Sequence, residues 1–197
     1  MWCWGANTAG QLGLGDTEDR SEPAEVALVA EARAVVAGSQ HTCAIVAGGR
    51  VLCWGSNDRG QLGADPSESD ETCAGRRPIV CRTYPAAVEG LENVAELALG
   101  GAHSCARTEA GEVYCWGSND AAQLGLADEA PVSTCQSLGR PCSPTPRRVA
   151  VGRARRIVAG FAHTCALLGD GSVHCWGENS TDVVLVQQRY PKLPGKA

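Results

Sequence analysis

Apolar residues in this chain do not return at helical spacing. They come in short runs rich in Val, Cys and Trp, such as Thr42–Val46 and Val51–Trp54, and each run is bounded by Gly clusters. Short apolar runs closed by turn residues predict many short strands and little helix. The runs recur. Cys-Trp-Gly stands at Cys3, Cys53, Cys115 and Cys175, at intervals of 50, 62 and 60 residues. His-Thr/Ser-Cys-Ala precedes three of these, at His41, His103 and His163. Asn follows each repeated Trp by three positions, and Gln-Leu-Gly closes the first three units at Gln11, Gln61 and Gln123. Self-similarity at this period is the signature of a repeat architecture.

The central element of each unit is a predicted hairpin, His41–Val46 against Arg50–Gly55 in the second. Its loop is Ala47-Gly48-Gly49, matched by Glu109-Ala110-Gly111 and Gly169-Asp170-Gly171. Gly holds the third position each time, where a three-residue loop turns through the left-handed region. Pairing symmetric about that loop sets Cys43 opposite Cys53 and Thr42 opposite Trp54. The same register pairs Cys105 with Cys115 and Cys165 with Cys175. Directly opposed Cα atoms lie about 4.5–5.5 Å apart, within disulfide reach.

Outside the hairpins, Pro23–Val26 and Val35–Gly38 read as short strands, with room for a helical turn between Ala27 and Ala34. The path from the Gly of Gln-Leu-Gly to the next Val (Val26, Val88, Val149) is 13 residues in the first unit but 25 and 24 in the next two. Each insertion, Ala64–Thr83 and Leu126–Pro146, carries two cysteines. These read as loops pinned by local disulfides, Cys73–Cys81 and Cys135–Cys142. Ten of the eleven cysteines are then paired. Cys3 is left over because residues 1–26 begin in mid-unit, so a preceding half-hairpin is expected upstream. After Asn179 the pattern fails, and Val183–Val186 offers one more strand in a divergent tail, 180–197.

Composition narrows the chemistry. Net charge is −5, which gives no global attraction to nucleic acid. No apolar run reaches the length of a membrane span, and no secretory leader is visible in this stretch. The cysteine spacings of ten, eight and seven are not the two-to-four-residue clusters of zinc sites, so disulfides and an oxidising compartment are the reading. No Ser/His/Asp set, hydrolase-type carboxylate pair or phosphate-binding Gly loop is present; catalytic residues, cofactor and metal are all expected to be none. The acidic stretches Asp16–Asp19, Asp65–Glu71 and Asp128–Glu129 lack the oxygen ladder of a calcium loop. Arg147, Arg148, Arg153, Arg155 and Arg156 form a basic cluster that reads as a solvated face.

Gly-x-x-His-Thr, x-x-Trp-Gly-x-Asn and Gly-Gln-Leu-Gly at this spacing resemble the regulator of chromosome condensation repeat, over residues 2 to about 179. The resemblance implies an all-β, seven-bladed propeller of four-stranded antiparallel sheets. The chain then makes a partial propeller of about three to four blades, with units near 1–52, 53–114 and 115–174 and a partial one from 175. The cysteines and inserts resemble bacterial extracellular members, which implies an extracellular or cell-surface place on the bacterial envelope.

In such a blade the recurring His41, His103 and His163 are expected to hydrogen-bond backbone within their own blade. Trp54, Trp116 and Trp176 are expected to pack blades, and the Asn and Gln residues to hold turns. The implied function is a non-enzymatic protein-binding scaffold, gripping its partner through the disulfide-pinned rim loops with Arg76, Arg77, Arg82 and Arg140. Open blade edges imply self-association. The alternative that the family offers is guanine-nucleotide exchange on a small GTPase.

Overall fold

The computed structural model describes residues 1–27, 30–66, 71–74, 78–126, 133–135 and 139–179. It is an all-β chain of four antiparallel sheets. The first pairs β1 (Trp2–Gly5) with β2 (Arg20–Glu25). The second orders β3 (Ala32–Ala37), β4 (His41–Val46), β5 (Arg50–Ser56), β7 (Pro78–Ala87) and β6 (Glu71–Ala74). The third repeats that order with β8 (Val94–Leu99), β9 (His103–Thr108), β10 (Val113–Ser118), β12 (Arg140–Val149) and β11 (Ser133–Cys135). The fourth holds β13 (Ala154–Ala159), β14 (His163–Leu168) and β15 (Val173–Gly177). Among the described residues no helix is long and apolar enough to cross a membrane.

The hairpin register is the one that the loop symmetry predicts. Cys43 faces Cys53, Thr42 faces Trp54, Cys105 faces Cys115 and Cys165 faces Cys175. The third loop residue has positive φ in every copy: +68° at Gly49, +82° at Gly111 and +87° at Gly171.

Alternation along the strands then divides each sheet between two cores. Cys43, Ile45, Val51 and Cys53 point toward the third sheet and meet Leu97, Leu99, Ala106 and Trp116. Ala44, Val46, Leu52 and Trp54 point the other way and enclose Met1, Ala30 and Ala32. Cys105, Val113 and Cys115 of the third sheet meet Ile157 and Ala166 of the fourth. Every buried layer therefore lies between sheets, as in a propeller.

Three expectations change. Ala32–Ala34 belong to β3 rather than to a helical turn. The strand expected at Pro23–Val26 lies at Arg20–Glu25, with Val26 just beyond its end. The two inserts are not simply loops. Their later halves run straight into long fourth strands, and β6 and β11 add a fifth strand at the outer edge. The sequence conceals this because β7 and β12 carry prolines. Pro85 lies where β7 bonds neither neighbour, since its pairing to β5 shifts between Arg82 and Ala86 and β6 reaches only to Cys81. Pro144 and Pro146 occupy the matching gap in β12, between Ser143 and Arg147. A Pro there removes no ladder bond. The tail strand expected at Val183–Val186 lies outside the described residues.

Candidate functional site

The repeated polar residues meet between sheets, in a clasp used three times. The backbone carbonyl of Gln61 accepts two hydrogen bonds from the third sheet: Trp116 Nε1 at 2.9 Å and Ser104 Oγ at 2.8 Å. Gln123 receives Trp176 Nε1 at 2.9 Å and Thr164 Oγ1 at 3.0 Å, and Gln11 receives Trp54 Nε1 at 2.9 Å and Thr42 Oγ1 at 2.8 Å. The Gly of the same Gln-Leu-Gly lies under the Trp ring. A Cβ on Gly13 would stand 2.7 Å from Trp54 Nε1, and one on Gly125 2.7 Å from Trp176 Nε1.

Two of these hydroxyls, Ser104 and Thr164, also accept a hydrogen bond from a His of the preceding sheet. His41 Nε2 lies 3.0 Å from Ser104 Oγ, and His103 Nε2 lies 2.9 Å from Thr164 Oγ1. Because the hydroxyl hydrogen is already committed, Nε2 carries the ring proton and donates. For His41 and His103 this corrects the sequence expectation that each His bonds backbone inside its own sheet. The signal was present in the Thr/Ser that follows each His, but the partners lie about sixty residues apart, at separations of 63 and 61.

Burial keeps both rings neutral. It pushes His41 down to about 3, helped by the neighbouring His103, and His103 down to about 4, helped by His163. Their Nδ1 atoms have no hydrogen-bond partner. They face the Gly three residues upstream, where a Cβ on Gly38 would come within 2.7 Å of Nδ1 and one on Gly100 within 2.5 Å. This explains the Gly-x-x-His spacing.

Turns within each unit are held as expected. The Asn side-chain oxygen accepts the Leu amide of Gln-Leu-Gly at 2.9, 3.0 and 3.1 Å in the three units. The Gln Oε1 accepts an amide two residues back, at 2.8 Å each time.

Five disulfides are formed: Cys43–Cys53, Cys105–Cys115, Cys165–Cys175, Cys73–Cys81 and Cys135–Cys142. Cys3 is free. The three hairpin bridges span Cα separations of 4.1, 4.1 and 4.0 Å across the strand pair. The other two tie β6 to β7 and β11 to β12 diagonally, at 5.8 and 5.7 Å.

Of the four residues expected to touch a partner, two are described. Arg76 and Arg77 lie outside the described residues. Arg82 is half-buried in β7 opposite Gly55. Arg140 is exposed on β12, and Asp120 pairs with it at 3.2 Å and with Arg59 of the second sheet at 3.5 Å. Arg59, which the sequence reading passed over, thus links the inner turn of one unit to the edge hairpin of the next. Of the basic cluster, Arg148 pairs with Glu112 and Arg156 with Glu96, which also holds Arg107 at 2.8 Å.

The sequence profile described as the regulator of chromosome condensation (RCC1) repeat matches residues 1–45, 48–107 and 110–167. A second profile of the same repeat matches 32–61, 94–123 and 154–181. The ultraviolet-B receptor UVR8 of Arabidopsis thaliana is 33% identical over 179 residues, covering 88% of this chain and 36% of the receptor. The probable E3 ubiquitin-protein ligase HERC6 of Homo sapiens is 32% identical over 91% of this chain but only 16% of its own length. Among solved structures, yeast RCC1 (Prp20), crystallised bound to Kap60, superposes with a TM-score of 0.76 at 23% identity. That match covers 91% of this chain and 40% of the yeast chain. Human WBSCR16 gives a TM-score of 0.66 at 20% identity, over 89% and 42%. The chain therefore spans well under half the length of these relatives.

Proposed function

The chain belongs to the regulator of chromosome condensation (RCC1) repeat family, and from that premise we propose that it is a non-enzymatic protein-binding scaffold of an oxidising compartment. Its place would be extracellular or on the bacterial cell surface, and its grip would come from the edge hairpins β6–β7 and β11–β12. The observation that carries this reading is their construction. At the same place in two successive units, the short first-unit connection is replaced by a hairpin closed by its own disulfide. A hairpin held this way loses little conformational freedom on binding, so more of its contact energy is left for affinity. Binding loops carried on a rigid frame are a common use of such scaffolds. The sharing of Asp120 between Arg59 and Arg140 fixes the base of the second hairpin against the neighbouring unit. Protein binding also agrees with the yeast relative, solved in complex with Kap60 and studied for its binding to Gsp1p and histones.

The register supplies the test. Arg20, Arg82 and Ser143 occupy equivalent places opposite Gly5, Gly55 and Gly117. Replacing residues 64–81 and 126–142 with the first-unit stretch Leu14–Asp19 removes both inserts and all four of their cysteines while keeping the inner fourth strands. The proposal expects the variant to stay folded and to lose the proteins that the parent captures from its native surroundings. An unchanged set of captured proteins, with the fold intact, refutes it.

A further inference from the structure

We propose that the cleft between the second and third sheets binds a basic, extended segment of a partner protein. The aliphatic stems of its lysine or arginine side chains lie on apolar surface, and their charged ends meet a rim of glutamates. The cleft opens where the β4–β5 and β9–β10 hairpins turn, and its volume is about 930 Å³. The edge hairpins stand at the other end of the strands: β6 pairs with β7 from Pro78 to Cys81, and Cys81 faces Ser56, the last residue of β5. The cleft is therefore a second surface, independent of those hairpins.

The link between β7 and β8 shapes the cleft. It runs over residues 88–93, two more than the β12–β13 link at 150–153. Both of its ends are pinned. Val88 N donates to the Val51 carbonyl at 3.0 Å, and the Asn93 carbonyl accepts from Glu109 N at 2.8 Å. Gly49 lies against the same residue, where a Cβ on it would stand 2.7 Å from Asn93 Cα. Between the pins the side chains divide. Val88 and Leu91 are buried in the core beside Val51, whereas Glu89 and Glu92 are exposed. Ala87, Val88, Leu91 and the half-buried ring of Tyr114 give the cleft its apolar surface.

The third sheet supplies the opposite rim. Glu109 is exposed in the β9–β10 turn. Glu112 accepts from Tyr114 Oη at 3.3 Å and pairs with Arg148 at 3.2 Å, so its charge is matched. Among the described residues no cation lies within ion-pair distance of Glu89, Glu92 or Glu109. Arg50, the one basic residue that lines the cleft, turns to the Ala47 carbonyl at 3.5 Å. Unmatched carboxylates around apolar surface select one ligand chemistry. A basic side chain lays its methylene stem along such a surface and keeps its charge at the wet rim. A neutral or acidic segment would leave the carboxylates unmatched. With both ends of the link pinned, the cleft is formed before the ligand arrives, which limits the ordering cost of binding.

The probe is the acetylated and amidated peptide Lys-Gly-Lys-Gly-Lys, titrated calorimetrically into the full chain at low ionic strength. It should bind one to one. E89Q/E92Q/E109Q should weaken binding by about tenfold or more, since three ion pairs at an exposed rim are each worth a few-fold. E18Q/E22Q/E25Q removes the same charge from the first unit, away from the cleft, and should change the affinity by no more than about twofold. A peptide with 2,4-diaminobutyrate in place of each Lys keeps the charges on stems two methylenes shorter and should bind several-fold more weakly. The folded chain whose edge hairpins have been exchanged for the first-unit stretch should bind the Lys peptide as the parent does. Equal losses in the two triple variants would reveal diffuse attraction to an acidic chain and overturn the proposal. Equal affinities for the long and short stems, loss of binding on hairpin exchange, or no binding to the parent would overturn it too.

Discussion

Replacing Ser104 with Ala removes a hydroxyl that serves two buried partners at once. Ser104 Oγ donates to the Gln61 carbonyl at 2.8 Å and accepts from His41 Nε2 at 3.0 Å. After the change, Gln61 keeps its bond from Trp116 Nε1, so the carbonyl remains satisfied. His41 does not fare as well. Its Nδ1 already lacks a partner, and both ring nitrogens are then unpaired in a side chain 1% exposed. An orphaned buried donor costs about 1–3 kcal/mol, and the lost bond to Gln61 adds a fraction of that. The expected loss is about 2–3 kcal/mol. In urea this should lower the midpoint by about 0.7–3 M, given slopes of about 1–3 kcal/mol per M for small domains. Ser104→Thr supplies the control, because Thr makes the same two-sided contact at Thr164. It should fall within about 1 kcal/mol of the parent. The assay is equilibrium unfolding at pH 7 followed by Trp fluorescence. A loss below about 0.5 kcal/mol for Ser104→Ala, or equal losses for Ala and Thr, would refute the clasp as the origin of inter-sheet stability.

Further outcomes follow from the same contacts. His41 and His103 titrate lower folded than unfolded, so the unfolded chain binds more protons between the two values; stability should be full above about pH 6.5 and fall as the pH drops toward 4, and a flat stability profile across pH 6.5–4 would contradict this. Gly100→Ala should destabilise by about 2 kcal/mol or more, because the new Cβ would lie 2.2 Å from His103 Cε1 and 2.6 Å from the Gly160 carbonyl; a neutral result in thermal melting would sink that reading. Removing the Cys105–Cys115 bridge by double Ala substitution should cost roughly 3 kcal/mol on the chain-entropy account, measured as the difference in unfolding free energy from the parent.

The period of the repeat, the hairpin register and the cysteine pairing were legible because each rests on local spacing. Gly at the third loop position forces the turn, the turn forces the register, and the register brings the cysteines together. The inter-sheet clasp was less legible. Its donor and acceptor lie in different units, and its central acceptor is a backbone carbonyl, which leaves no mark in the sequence beyond the recurrence of Gln-Leu-Gly. The edge strands were hidden for another reason. Pro85, Pro144 and Pro146 argue against strand in any local reading, and only the pairing gap at those positions reconciles them with β7 and β12. The arginines of the inserts were read by composition alone. The structure ties the exposed Arg140 to Asp120 and half-buries Arg82.

The central claim is a scaffold whose repeats and binding hairpins are closed by disulfides in the setting where it works. The direct measurement is non-reducing peptide mapping of protein taken from its native source, with free thiols trapped at the moment of lysis or collection. The account predicts the five pairs Cys43–Cys53, Cys73–Cys81, Cys105–Cys115, Cys135–Cys142 and Cys165–Cys175, with none of these ten cysteines carrying the trapping label. Recovery of the ten as labelled thiols from folded protein, or as ligands of a bound metal, would contradict it.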